Sequence, residues 1–207
     1  CNLQRGVNKT IFKKKKIDKN SLLKKFKVKD TKNIIFFCGR IHELKGAIFL
    51  SRIHKELKNK GLSVATVLAG ENIHGSVCSR IGGKDLYILS YLQAKNISSF
   101  LNICDLFVFP SLYEVGPQVV LEAKQCNAVC VVAPEGGGKR INNNFDGIIV
   151  KKYLLKEWVK EIEYLLVNKK KIKEIKNNLR LSNFQPSWSD VFFENFYNNW
   201  KKILEKK

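Results

Sequence analysis

The chain has 207 residues, a net charge of +20, 44% hydrophobic residues and six cysteines. That apolar content is enough for a sizeable core and excludes an intrinsically disordered chain. No apolar run approaches the roughly 18 residues of a membrane-spanning helix, and no secretory leader is legible, so the expected place is the cytoplasm. Cys1, Cys38, Cys78, Cys104, Cys126 and Cys130 form no CxxC pair and several sit in apolar runs, which predicts reduced thiols rather than a disulfide or zinc framework. There is no methionine, so the sequence is not expected to begin at a natural initiator and reads as either a trimmed chain or a piece of a longer protein.

In chain order, residues 1–30 come first, with 11 basic and 2 acidic residues and little apolar pattern; they read as a basic linker entering a domain. The domain is expected over residues 31–185. Short apolar runs occur at Ile34–Cys38, Val64–Ala69, Leu86–Leu89, Leu106–Phe109, Val129–Val132 and Ile148–Val150. Most lack polar alternation, as parallel strands buried on both faces do. Helical stripes lie between and after them: Phe49, Leu50, Ile53 and Leu57, then Leu155, Trp158, Val159, Ile162, Leu165 and Leu166. Alternating strands and helices predict an α/β, Rossmann-like, doubly wound parallel sheet with its ligand site at the carboxyl ends of the strands. Residues 186–207 predict a final amphipathic helix, with Ser187 as N-cap and Trp188, Phe192, Phe196 and Trp200 along one face. That face packs either on its own domain or on a missing partner domain.

The charge is concentrated at the ends. Residues 151–207 carry 14 basic and 7 acidic residues, whereas residues 31–150 carry 13 and 9. Such flanks are either solvated, lysine-biased faces or an attraction for nucleic acid, an anionic membrane or phosphorylated sugar carriers. Nucleic acid is not expected, because the aromatics fall in apolar runs and helical stripes rather than beside the lysines.

Two segments carry chemistry. Cys38-Gly39-Arg40-Ile41-His42-Glu43-Leu44-Lys45-Gly46 follows a strand and precedes a helix. Gly39 permits a tight turn, and Arg40 and Lys45 bring two cations to a helix start, a setting suited to a diphosphate. The second runs from Asp105 through Pro110, Ser111, Glu114, Gly116 and Pro117 to Glu122 and Ala123. Its helix begins near Pro117, so the amides of Gly116, Gln118 and Val119 can face phosphate, while Glu114 and Glu122 can accept sugar hydroxyls. Taken alone, either carboxylate also suits a surface salt bridge. Among the histidines, His54 falls by an apolar stripe and reads as structural, His42 lies in the phosphate loop, and His74 lies in a polar stretch.

Read together, these elements resemble the retaining, nucleotide-sugar-dependent glycosyltransferases of the large group 1 family. The resemblance rests on Glu114 and Glu122 as E-x7-E after Asp105–Ser111, and on strand-Gly39-Arg40-x4-Lys45-Gly46. Gly6-Val7-Asn8-x3-Phe12, Gly136-Gly137 and Asp146-Gly147-Ile148-Ile149-Val150 add to it, in family order across residues 6–167. It implies the C-terminal half of a two-domain GT-B fold, with hexosyl transfer from a nucleotide-diphosphate sugar to a glycan or lipid-linked acceptor of the cell envelope. Catalytic roles fall on Arg40 and Lys45 at the diphosphate and on Glu114 at the donor sugar. Glu122 is implied at the ribose, Gly39, Gly116, Gln118 and Val119 along the donor, and Tyr91 and Leu92 near the base. No metal or other cofactor is implied. The acceptor site and a key histidine are implied on an N-terminal domain, on this chain or a separate one, and the basic flanks suggest a place at an anionic membrane surface. Asn8 stands where the family has Asp, and Lys139 and Arg140 stand where many relatives have an acidic residue. The same fold in epimerases or phosphorylases is not matched by motif. Two further readings are a non-catalytic half of a split glycosyltransferase and a basic nucleic-acid-binding module.

Overall fold

The computed structural model describes residues 5–71, 75–182 and 185–205. Among them six strands form one sheet: β1 (Asn33–Cys38), β2 (Val64–Ala69), β3 (Leu86–Leu89), β4 (Leu106–Phe109), β5 (Val129–Val132) and β6 (Gly147–Ile149). All pairings are parallel, in the order β3-β2-β1-β4-β5-β6. β1, β2, β4 and β5 are almost wholly buried, because helices cover both faces; their uninterrupted apolar runs follow from that. The winding direction reverses between β1 and β4, which pair through Ile35 with Leu106 and Phe36 with Phe107. The loops leaving those two strands therefore part in opposite directions and open a crevice at their carboxyl ends.

Helix α2 (Ala47–Asn59), followed along the chain by the short α3 (Gly75–Cys78) and by α4 (Ala94–Ile103), buries Leu50, Ile53 and Leu57 of the stripe fully and Phe49 in part. His54 is buried with them. Its Nδ1 lies 2.9 Å from Thr66 Oγ1 and its Nε2 2.9 Å from the Lys84 carbonyl. Burial lowers its pKa, so it is a neutral core residue with both ring nitrogens occupied. The later helix over Leu155–Val167 packs Trp158 and Ile162 into the same core.

The segment read as a linker is also structural. Residues Lys19–Lys25 form a helix, α1, capped where the Asp18 side chain accepts from the Ser21 amide. Val7, Phe12, Leu22, Leu23 and Val28 enter the core. These apolar residues are isolated among lysines whose stems lie along the surface, so no stripe shows in the sequence.

At the other end, Ser187 and Asp190 form a reciprocal capping box that starts a helix at Trp188–Phe192. The chain continues through a wider turn at Phe193–Tyr197 into a helix at Asn198–Leu204. Val191 is buried, but Trp188, Phe192 and Trp200 are more than half exposed, so the predicted aromatic face does not pack on the described part of this domain. The entry segment runs beside the start of this helix, with the Val7 amide donating to the Pro186 carbonyl at 2.8 Å. No helix of the described residues is long and apolar enough to cross a membrane.

Candidate active site

After β1 the chain turns through Gly39, Arg40 and His42. The His42 ring accepts from the Leu44 amide at 3.2 Å and caps a short helical turn over Glu43–Lys45. Gly46 ends this turn with φ +79°, and a Cβ there would overlap the Pro110 carbonyl, so the first loop lies directly on the end of β4. Two hydrogen bonds tie the neighbouring loops. The Leu112 amide donates to the Leu44 carbonyl at 2.9 Å, and the Glu114 amide to the Glu135 carbonyl at 3.1 Å. The loops after β1, β4 and β5 thus form one rim around the crevice.

Within that rim, Lys45 Nζ stands 2.6 Å from Glu114 Oε1, with the two side chains 20% and 15% exposed. Ser111, fully buried at the end of β4, places its Oγ 3.2 Å from the same carboxylate oxygen. The two motifs, far apart in sequence, meet through this pair. Helix α5 (Gln118–Gln125) begins just behind Pro117, and its first amides have no carbonyl of their own helix to bind. One turn along α5, Glu122 is largely buried and has no hydrogen-bond or ion-pair partner among the described residues. Burial alone pushes its carboxyl up to about 7. Beside it the Cys38 thiol is pushed up to about 12, chiefly by burial and then by the Glu122 charge, so it is an inert neighbour.

A cleft of about 310 Å³ brings together eight residues singled out by sequence: Gly39, Arg40, Lys45, Glu114, Gly116, Gln118, Val119 and Glu122. Arg40 is exposed and makes no ion pair among the described residues. Tyr91 and Leu92 line a second hollow of about 240 Å³ with Glu71, Ile97 and Gly70, and this hollow shares Cys38, Gly39 and Arg40 with the first. The two form one trough across the end of β1. Arg5, which sequence reasoning passed over, also lines the first cleft. A roomier depression of about 890 Å³ between Lys160 and Lys170 is not a rival. It lies at the amino ends of the strands, beside Lys169, which bonds Asn33 and Asp105. His42 serves as a cap, and His74 lies outside the described residues. Among the described residues no cluster of three or more His, Cys, Asp or Glu side chains could hold a metal ion.

Chemically, the trough offers cations and helix amides for a polyanion, flanked by two carboxylates that accept from hydroxyls. Comparison with known proteins bears on the family and the fold. The family model described as "Glycosyl transferases group 1" matches residues 18–182. An N,N'-diacetylbacillosaminyl-diphospho-undecaprenol alpha-1,3-N-acetylgalactosaminyltransferase of Campylobacter jejuni is 32% identical over 143 residues, covering 68% of this chain and 37% of the relative. A glycosyltransferase structure from Rickettsia africae superimposes with TM-score 0.84 at 19% identity, over 99% of this chain and 57% of that one. The Anabaena HepE structure in complex with UDP-glucose gives 0.77 at 20% identity, over 98% and 56%. The fold is therefore the Rossmann-like half of a GT-B glycosyltransferase, and the chain spans roughly a third of the length of the curated relatives it matches. On the family match, which covers most of its length, the chain belongs to the group 1 glycosyl transferases.

Proposed function

We propose that this chain is the donor-binding half of a retaining glycosyltransferase of hexosyl type, acting on a nucleoside-diphosphate sugar with an acceptor held by an N-terminal domain. The observation that carries it is the Lys45–Glu114 pair at 2.6 Å, set with Arg40 and Glu122 in one cleft at the reversal point of the sheet. Arg40 and Lys45 bind the diphosphate and offset the charge it gains as the bond to the anomeric carbon breaks. Glu114 accepts from hydroxyls of the donor sugar, which requires Lys45 to turn from it toward phosphate. Glu122 accepts from the ribose, and the Tyr91–Leu92 hollow takes the base. These side chains meet the leaving-group charge by themselves, so the reading takes no metal or other cofactor. The exposed aromatic face of the last helix suits contact with the N-terminal domain.

UDP is the first nucleotide to try, because HepE, a neighbour in fold, binds UDP-glucose. The test is calorimetric titration with UDP, GDP, ADP and CMP, in EDTA and in magnesium. We expect one diphosphate to bind equally in both buffers and to lose about tenfold or more in Arg40→Ala and Glu122→Ala. A folded chain that binds none of the four, alone and together with the N-terminal half, would refute the donor reading.

The acceptor on this reading is anionic and lipid-linked, at the inner face of a membrane. Its support is the pair of basic flanks, together with the undecaprenol acceptor in the name of the Campylobacter relative. Sedimentation with vesicles containing anionic lipid should show binding that weakens steeply between low and physiological salt. Binding that ignores salt, or none, would exclude it.

A further inference from the structure

Arg5 sits on the segment that enters the domain, outside every motif, yet it lines the same cleft as Arg40, Lys45, Glu114 and Glu122. Its guanidinium lies over Gly116. A Cβ at Gly116 would stand 3.2 Å from Arg5 Nε and 3.6 Å from Cζ, so the arginine packs closely against the loop at 116. The backbone beside Arg5 is pinned from two sides. Gln118 Nε2 donates to the Gly6 carbonyl at 2.5 Å, and the Val7 amide donates to the Pro186 carbonyl at 2.8 Å. Gln118 is also the first residue of α5, so the residue that opens the helix fixes the segment that carries the arginine. The Gln118 Oε1 is buried without a hydrogen-bond partner among the described residues, an acceptor left for a bound hydroxyl or water.

The charges in the cleft do not balance without a ligand. Lys45 is matched by Glu114, and burial holds much of the Glu122 carboxyl protonated near neutrality. Arg40 and Arg5 are both exposed and make no ion pair among the described residues. Two unmatched guanidinium groups beside the free amides of a helix start suit an anion with several oxygens, which arginine can grip in bidentate fashion.

We propose that Arg5 is a third phosphate-binding cation of the donor cleft, delivered by the entry segment and held in place by Gln118. The proposal rests on the donor-binding reading and adds a residue to it. A diphosphate held by Arg5 also fastens the entry segment to the start of α5, so occupancy of the cleft is felt where the preceding chain arrives.

The test is calorimetric titration of the 207-residue chain with UDP, UMP and uridine, for wild type, Arg5→Ala, Arg5→Lys and Arg40→Ala. Arg5 is exposed, so its variants should melt like wild type. Loss of one charge-assisted contact should weaken UDP about tenfold in Arg5→Ala, with uridine changed by less than about twofold. Arg5→Lys should recover part of the loss, and the salt dependence of UDP binding should become shallower in Arg5→Ala. UDP affinity within about twofold of wild type in Arg5→Ala, alongside a clear loss in Arg40→Ala, would overturn the proposal and leave the donor reading intact. Equal weakening of UDP and uridine would overturn it as well, since Arg5 would then act only by packing the entry segment. If folded wild type also binds none of UDP, GDP, ADP and CMP, alone and together with the N-terminal half, both readings fall.

Discussion

Glu122→Gln should unfold at higher denaturant than wild type at pH 8 and at nearly the same concentration at pH 4. The cause is the burial that pushes the Glu122 carboxyl from 4.5 up to about 7. The folded chain binds this proton more tightly than the unfolded chain does. Its contribution is therefore fully present below about pH 4.5 and is lost progressively as pH rises toward 7, where folding must bury an ionised group. The shift corresponds to about 2 kcal/mol once partial exposure is discounted, and Gln removes that penalty without changing shape. The same substitution separates stability from binding. A ribose whose hydroxyls donate to Glu122 favours the ionised form, so wild-type affinity for UDP should tighten from pH 5 to pH 8. UDP's own phosphate titrates in part of this range, so the readout is the difference between wild type and Glu122→Gln. Equal pH profiles for the two proteins would show that Glu122 does not meet the ligand as a carboxylate. A stabler but weaker-binding variant is the expected mark of a group kept for function at a cost in stability.

The sheet was legible because of where it sits. β2, β4 and β5 coincide with apolar runs, since strands covered on both faces have no polar alternation to blur their ends, and the partly buried edge strand β3 coincides with the run Leu86–Leu89. β6 was displaced by one residue, because Gly147 pairs with Cys130 while having no side chain to reveal it. The rim residues were legible through loop chemistry, with glycine, arginine and lysine after one strand and two glutamates after another. What could not be read is contact between distant residues. The Lys45–Glu114 pair spans 69 positions and the Gln118–Gly6 bond 112, and neither leaves a periodic trace. Arg5 was lost among the basic residues of the entry segment, which look alike until the fold selects one. The helix at Lys19–Lys25 was hidden for a related reason, since Leu22 and Leu23 are its only buried residues. Lys124 was concealed by its type. It follows Val120 and Leu121 at helical spacing on the buried side of α5, and that spacing was the one signal that it lies inside.

Lys124→Met should be among the most destabilising single changes outside the cleft, although no motif includes Lys124. The side chain is 9% exposed. Its Nζ lies 2.7 Å from Asp146 Oδ2 and 2.7 Å from the Arg140 carbonyl. Asp146, itself 5% exposed, accepts from the Asn142 amide at 2.8 Å through its other oxygen. The ammonium thus ties α5, which carries Glu122, to the turn that follows the glycine segment. Removing it leaves a buried carboxylate with a single amide donor, a loss of about 3–5 kcal/mol. For a chain of this size that lowers the melting temperature by roughly 10 °C. Met fills most of the lysine stem's volume, so a cavity is not the cause, and a second variant isolates the charge. In Lys124→Met with Asp146→Asn the bond from the Asn142 amide survives and no unpaired ion remains. The double variant should therefore be more stable than Lys124→Met alone by about 1–3 kcal/mol. If the second substitution only adds to the damage, the pair contributes through packing rather than charge. UDP affinity gives the functional half of the result. If the tie holds α5 in register with the rim, Lys124→Met should weaken UDP even at temperatures well below its melting point, and the double variant should recover affinity together with stability. Recovery of stability without affinity would mean that the ammonium, donating to the Arg140 carbonyl, sets the shape of the rim independently of the ion pair.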